Sequence, residues 1–104
     1  MLERLGWLLM LHALCDYALQ PDWMAQHKSP LDPPPARFGT WWWVLTAHAL
    51  IQGLGVAMVC SLTLGYAEVV VHGLTDYAKC RGWIGPKTDQ AIHLGSKLLW
   101  AQLA

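Results

Sequence analysis

Along this chain the polar residues fall on narrow stripes within otherwise apolar segments, and the stripes repeat at helical spacing. In the first segment the stripe is His12, Asp16 and Gln20, each four residues from the next. In the second it is His48 and Gln52, and in the fourth it is Asp89, Gln90, His93 and Lys97. The third is the richest: Glu68, His72, Asp76 and Lys79 are spaced four, four and three apart, while Val69, Val70, Val71 and Leu74 fill the remaining surface. Residues three or four apart share one helix face, so the pattern predicts an all-α protein. The expected architecture is a compact antiparallel four-helix bundle forming one domain over residues 1–104, with helices at about 2–20, 41–62, 66–80 and 86–103.

Punctuation between the segments fits that division. Pro21 favours a kink, with an amphipathic turn continuing through Trp23, Met24 and Ala25, and the run Ser29-Pro-Leu-Asp-Pro-Pro-Pro35 excludes regular helix because prolines remove donors and restrict their predecessors. Gly65 is the expected break between the second and third helices. Trp83-Ile-Gly-Pro86 reads as a turn that leaves Pro86 at the start of the last helix, a favoured place for it.

Hydropathy moves the expectation towards a membrane. The chain is 55% hydrophobic and 13% charged, about half the usual charged share of a soluble domain. Residues 38–67 contain no Asp, Glu, Lys or Arg, and about 20 apolar residues suffice to cross a bilayer. Trp41, Trp42 and Trp43 open that run like an interfacial aromatic belt, and Gly53 and Gly55 offer a small-residue surface for close helix approach. Antiparallel helices put Lys28, Arg37, Lys79, Arg81 and Lys87 in loops on one side, which the positive-inside rule makes cytoplasmic, with both termini external. The N-terminus resembles a signal peptide but lacks a small-x-small cleavage site and carries His12 and Asp16, so it reads as a retained helix. A mean hydropathy of only +0.29 keeps a soluble bundle as the alternative. Zero net charge leaves no broad electrostatic footprint for nucleic acid. Cys15, Cys60 and Cys80 match no ligand spacing and read as packing thiols, and His27 as a solvated loop residue.

Depth then brings the stripes together. Counted inward from the basic loops at about 1.5 Å per residue, His12, Asp16, His48, His72, Asp76, Asp89 and His93 fall in one layer, on the order of 5 to 14 Å from that side. Four imidazoles and three carboxylates in one layer are a donor set for divalent metal, zinc foremost, with iron or manganese also suited and room for one or two ions. Some carboxylates could instead orient the histidines from outside the ligand set.

The pattern His12-x3-Asp16-x3-Gln20-x2-Trp23-Met24, then Lys28, His48, His72-x3-Asp76-x2-Lys79 and Asp89-Gln90-x2-His93 resembles the bacterial and phage family of domain of unknown function 3307 over nearly the whole chain. That resemblance implies a small multi-pass protein of the bacterial inner membrane without an established activity.

Three functions are expected from these residues. The first is a membrane enzyme performing metal-assisted hydrolysis of a lipid or phosphoester, with Asp16, Asp76 or Glu68 as catalytic carboxylates. The second is a non-catalytic bacterial or phage membrane module, homo-oligomers included, whose polar layer gives helix pairing its specificity. The third is an ion or proton path through the same groups. Membrane lipid is the partner expected throughout.

Overall fold

A computed structural model describes residues 1–104, Phe38 by its backbone alone. The fold is all-helical: five α-helices pack compactly and no strand occurs among the described residues. The helices are α1 (Leu2–Ala13), α2 (Asp22–His27), α3 (Trp41–Val59), α4 (Leu62–Cys80) and α5 (Pro86–Leu103).

The first segment is not uniform α-helix as far as Gln20. α1 passes into a π-helical turn over Leu14–Ala18, closed by the Leu19 amide donating to the Leu14 carbonyl five residues back. Such wide turns occur frequently at functional sites, and this one carries Asp16. Pro21, with extended backbone, then ends the segment and caps α2, which is a helix in its own right. A 3-10 turn over Ala36–Phe38 and Gly39, at φ 97°, return the chain to α3.

The break between α3 and α4 falls at Cys60 and Ser61 rather than at Gly65. The Ser61 hydroxyl accepts from the Leu64 amide, a side-chain N-cap that starts α4 early. Gly65 is instead buried inside α4, where it lets two backbones touch. A β-carbon on it would meet the Gly53 carbonyl oxygen at 2.8 Å, and one on Gly53 would meet the Gly65 carbonyl oxygen at 2.7 Å. The α3–α4 pair is the most extensive in the fold.

Contacts fix the helix directions. Gly53 faces Gly65, His48 faces His72 and Trp41 stacks on Tyr77, so α3 and α4 run oppositely. Lys97 meets Glu68 and His93 meets Asp76, which sets α5 against α4 in the same sense. Arg4 reaches the Ala104 carbonyl and His12 meets Gln90, so α1 opposes α5.

Burial is inverted relative to an ordinary soluble domain. The apolar core is small, built on Leu8, Val56, Trp100 and Ala101. The centre is polar: His12, His48, Gln52, Glu68, His72, Asp76, Asp89, His93 and Lys97 are all buried. Outside stand Trp7, Met10, Trp42, Leu54, Met58, Leu62, Val70, Leu74 and Leu103, each more than half exposed. By length and composition α3 is the one helix among the described residues apolar enough to cross a membrane, and only 39% of its most apolar window is buried.

Candidate metal centre

α4 supplies the middle of the site because its stripe faces inward from Glu68 through His72 to Asp76, all three buried. α3 brings His48 opposite His72, and their Nε2 atoms lie 3.1 Å apart. The π-helical turn brings Asp16 beneath them, its Oδ1 3.3 Å from His48 Nε2 and 3.7 Å from His72 Nε2. Asp76 Oδ2 lies 3.4 Å from each of the same two nitrogens. α5 adds His93, whose Nε2 is 3.1 Å from Asp76 Oδ1 and 3.2 Å from Asp89 Oδ1. His12 completes the group from α1, its Nε2 3.3 Å from Asp16 Oδ2. The seven residues that the depth count puts in one layer therefore meet in one cluster.

Two triangles of donors share the His48–His72 side, one closed by Asp16 Oδ1 and the other by Asp76 Oδ2. Their sides run from 3.1 to 3.7 Å. A regular tetrahedron with metal–ligand bonds of about 2.0–2.1 Å has edges of about 3.3–3.4 Å. The donors of each triangle are thus spaced as ligands of one ion could be. Hydrogen bonding accounts less well for this arrangement, because a proton on Nε2 is directed along one axis while each of these nitrogens faces a second nitrogen and two carboxylate oxygens. A cation between the donors satisfies all of them together.

Charge favours the same filling. Asp16, Asp76 and Asp89 put three carboxylates in the cluster, against one buried ammonium from Lys28 and the half-exposed Lys79, 3.7 Å from Asp89 Oδ2. An uncompensated buried carboxylate is strongly destabilising.

Lys28 is the residue in contact with the cluster that the sequence reading places elsewhere, in a basic loop. It is not a solvated loop cation: its ammonium turns inward and donates to Asp76 Oδ2 and Gln20 Oε1, each at 2.6 Å. It follows α2 directly, before a proline-rich loop that has no helical period, so no spacing rule connects it to the stripes. The nearest signal is its place in the motif that includes Gln20 and Trp23. His27 is not fully solvated either; it packs on Trp23 and donates from Nδ1 to the Asp32 carbonyl, 2.9 Å away.

Amide side chains line the rim. Gln52 Nε2 donates to Asp16 Oδ1 at 2.6 Å, Gln20 Nε2 donates to the Asp16 carbonyl at 2.9 Å, and Gln90 lies between Asp89 and His12. Glu68 stands outside the cluster, on the far side of His72, with its Oε1 3.3 Å from His72 Nδ1. Its carboxylate also pairs with Lys97 and accepts from Trp100 Nε1 at 2.6 Å. A carboxylate behind a ligand histidine fixes the ring and raises its basicity, and that position suits Glu68 better than the role of catalytic base. The side chains of Asp16 and Lys28, each 10% exposed, mark where the cluster approaches the surface.

Comparison of this chain with protein-family models, with curated proteins and with solved structures finds no match.

Proposed function

We propose that the chain is a small multi-pass membrane protein, an antiparallel four-helix bundle of α1, α3, α4 and α5, that binds divalent metal in its polar interior. The observation that carries the metal reading is the tetrahedral spacing of His48 Nε2, His72 Nε2 and Asp76 Oδ2, with Asp16 Oδ1 closing a second triangle on the same His48–His72 edge. Two imidazoles with carboxylates suit zinc first. His12, Asp89 and His93 extend the donor set. The membrane reading is supported by the inverted burial and by the apolar length of α3. The motif resemblance extends that reading to the inner membrane of a bacterium, with the basic loops facing the cytoplasm.

The activity that follows is metal-assisted hydrolysis of a lipid or phosphoester. A divalent ion at such a site lowers the pKa of bound water to near 7 and polarises an ester oxygen. Among the clustered carboxylates Asp16 is the one nearest the surface, where a base could exchange its proton. Lys28, paired with Asp76, offers an ammonium to an anionic oxygen, and Glu68 holds His72 in orientation.

One observation favours a second reading, a metal-free structural network: Lys28 pairs with Asp76, and Lys97 with Glu68, inside the protein. Substituting His72→Gln and Asp76→Asn separates the two. Loss of bound metal with the helical circular-dichroism signal retained supports the site. Unfolding of both variants with no metal in either variant or parent supports the network.

A further inference from the structure

The donors divide into sets that one ion cannot serve. Three groupings lie close enough to hold an ion: His12, Asp16 and His72; His48, His72 and Asp76; and Asp76, Asp89 and His93. The first two share His72, which presents a single nitrogen, Nε2, to the cluster because its Nδ1 lies against Glu68. One nitrogen lone pair serves one ion, so those two groupings describe one site. The third shares only Asp76, and it uses the other oxygen of that carboxylate: Oδ2 faces His48 and His72, whereas Oδ1 faces His93. A carboxylate whose two oxygens point into two ligand sets is a bridge.

We propose that the protein binds two divalent cations bridged by Asp76, the second held by His93 Nε2, Asp89 Oδ1 and Asp76 Oδ1. This rests on the metal-binding reading above and adds the number, the partition and the chemistry of the ions. Asp89 Oδ1 supports the second position independently. It is buried with no hydrogen-bond partner among the described residues, 3.2 Å from His93 Nε2 and aimed into the set. His93 also keeps 3.1 Å from Asp76 Oδ1, close to the donor spacing of the first site. The two positions differ in character. The first offers two imidazoles, whereas the second offers one imidazole and two carboxylates and so favours a harder ion such as manganese or ferrous iron. Three protein donors leave that second ion open positions for water or a substrate oxygen. A bridging carboxylate holds two ions about 3.5–4 Å apart, the separation of two-metal hydrolytic sites.

Manganese(II) titrated into chelator-stripped, untagged protein in detergent tests the proposal by stoichiometry and by electron paramagnetic resonance. The expected result is two equivalents bound with an exchange-coupled spectrum, falling to one equivalent and an uncoupled six-line spectrum in Asp89→Asn. Wild-type protein that saturates at one equivalent, or binds two without coupling, overturns the two-ion centre while leaving the single site standing. Wild-type protein that binds none removes the metal reading itself. The decisive comparison is made on the wild-type chain, so it survives poor folding of the variant.

Discussion

His72 is the side chain on which the site turns. Its Nε2 faces His48, Asp16 and Asp76, and its Nδ1 lies 3.3 Å from Glu68 Oε1, so carboxylates flank its ring on both sides. Glu68 in turn is held by Lys97 and Trp100. Glu68→Gln keeps the shape of the side chain and removes its charge. Metal affinity is expected to fall about 10- to 100-fold, the usual effect of losing an orienting carboxylate. The melting temperature in detergent should fall as well, because neutralising one partner of a buried pair costs about 3–5 kcal/mol. An unchanged affinity in competition titrations would show that Glu68 does not act through His72. At this scale the inward faces were legible, since spacing of three and four residues is a property of the chain alone. Lys28 was not, because a side chain arriving from a proline-rich loop obeys no period.

Among the elements, α3 and α4 make the central unit, and their approach depends on Gly53 and Gly65. A β-carbon at Gly53 would fall 2.3 Å from Val69 Cγ2 and 2.7 Å from the Gly65 carbonyl oxygen, and the backbone cannot yield as a side chain can. Gly53→Ala should therefore destabilise the protein by about 1–3 kcal/mol. Gly73→Ala, whose β-carbon would meet Ala49 Cβ at an ordinary 3.6 Å, should be tolerated. Equal melting temperatures for the two variants would contradict this packing. The same glycine explains where the reading of the elements erred. Glycine marks a helix break and a close contact alike, and only the neighbouring helix decides between them. Ser61 carried the true start signal, a hydroxyl three residues before the Leu64 amide it caps. The π-helical turn after Ala13 leaves no mark in the hydrophobic period, because the His12–Asp16 spacing is compatible with either kind of turn.

At the scale of the whole molecule, the burial pattern is what supports the membrane reading proposed above. Large apolar side chains cover the outside of a polar centre, and a water-soluble domain rarely exposes broad apolar patches. The polar stripes lower the mean hydropathy of the other long helices, so a window average singles out α3 although outward residues on α1, α4 and α5 are also apolar. The protein is expected to sediment with membranes, to resist alkaline carbonate washing and to enter solution only with detergent. Recovery in the soluble fraction without detergent would return the chain to the soluble bundle that its modest mean hydropathy of +0.29 also allows. The burial pattern also bears on chemistry, since a dry interior strengthens every interaction among the clustered charges and makes a cation there more valuable than at the surface.

The clustering of His48, His72, Asp16 and Asp76 has its most direct test in the metal content of the protein as expressed. Untagged protein purified in metal-depleted buffers and analysed by inductively coupled plasma mass spectrometry should carry about one equivalent or more of zinc, iron or manganese, because sites of this donor type hold such ions tightly. Less than about a tenth of an equivalent of any transition metal, with none taken up on titration, would contradict the account and leave the cluster as a hydrogen-bonded network.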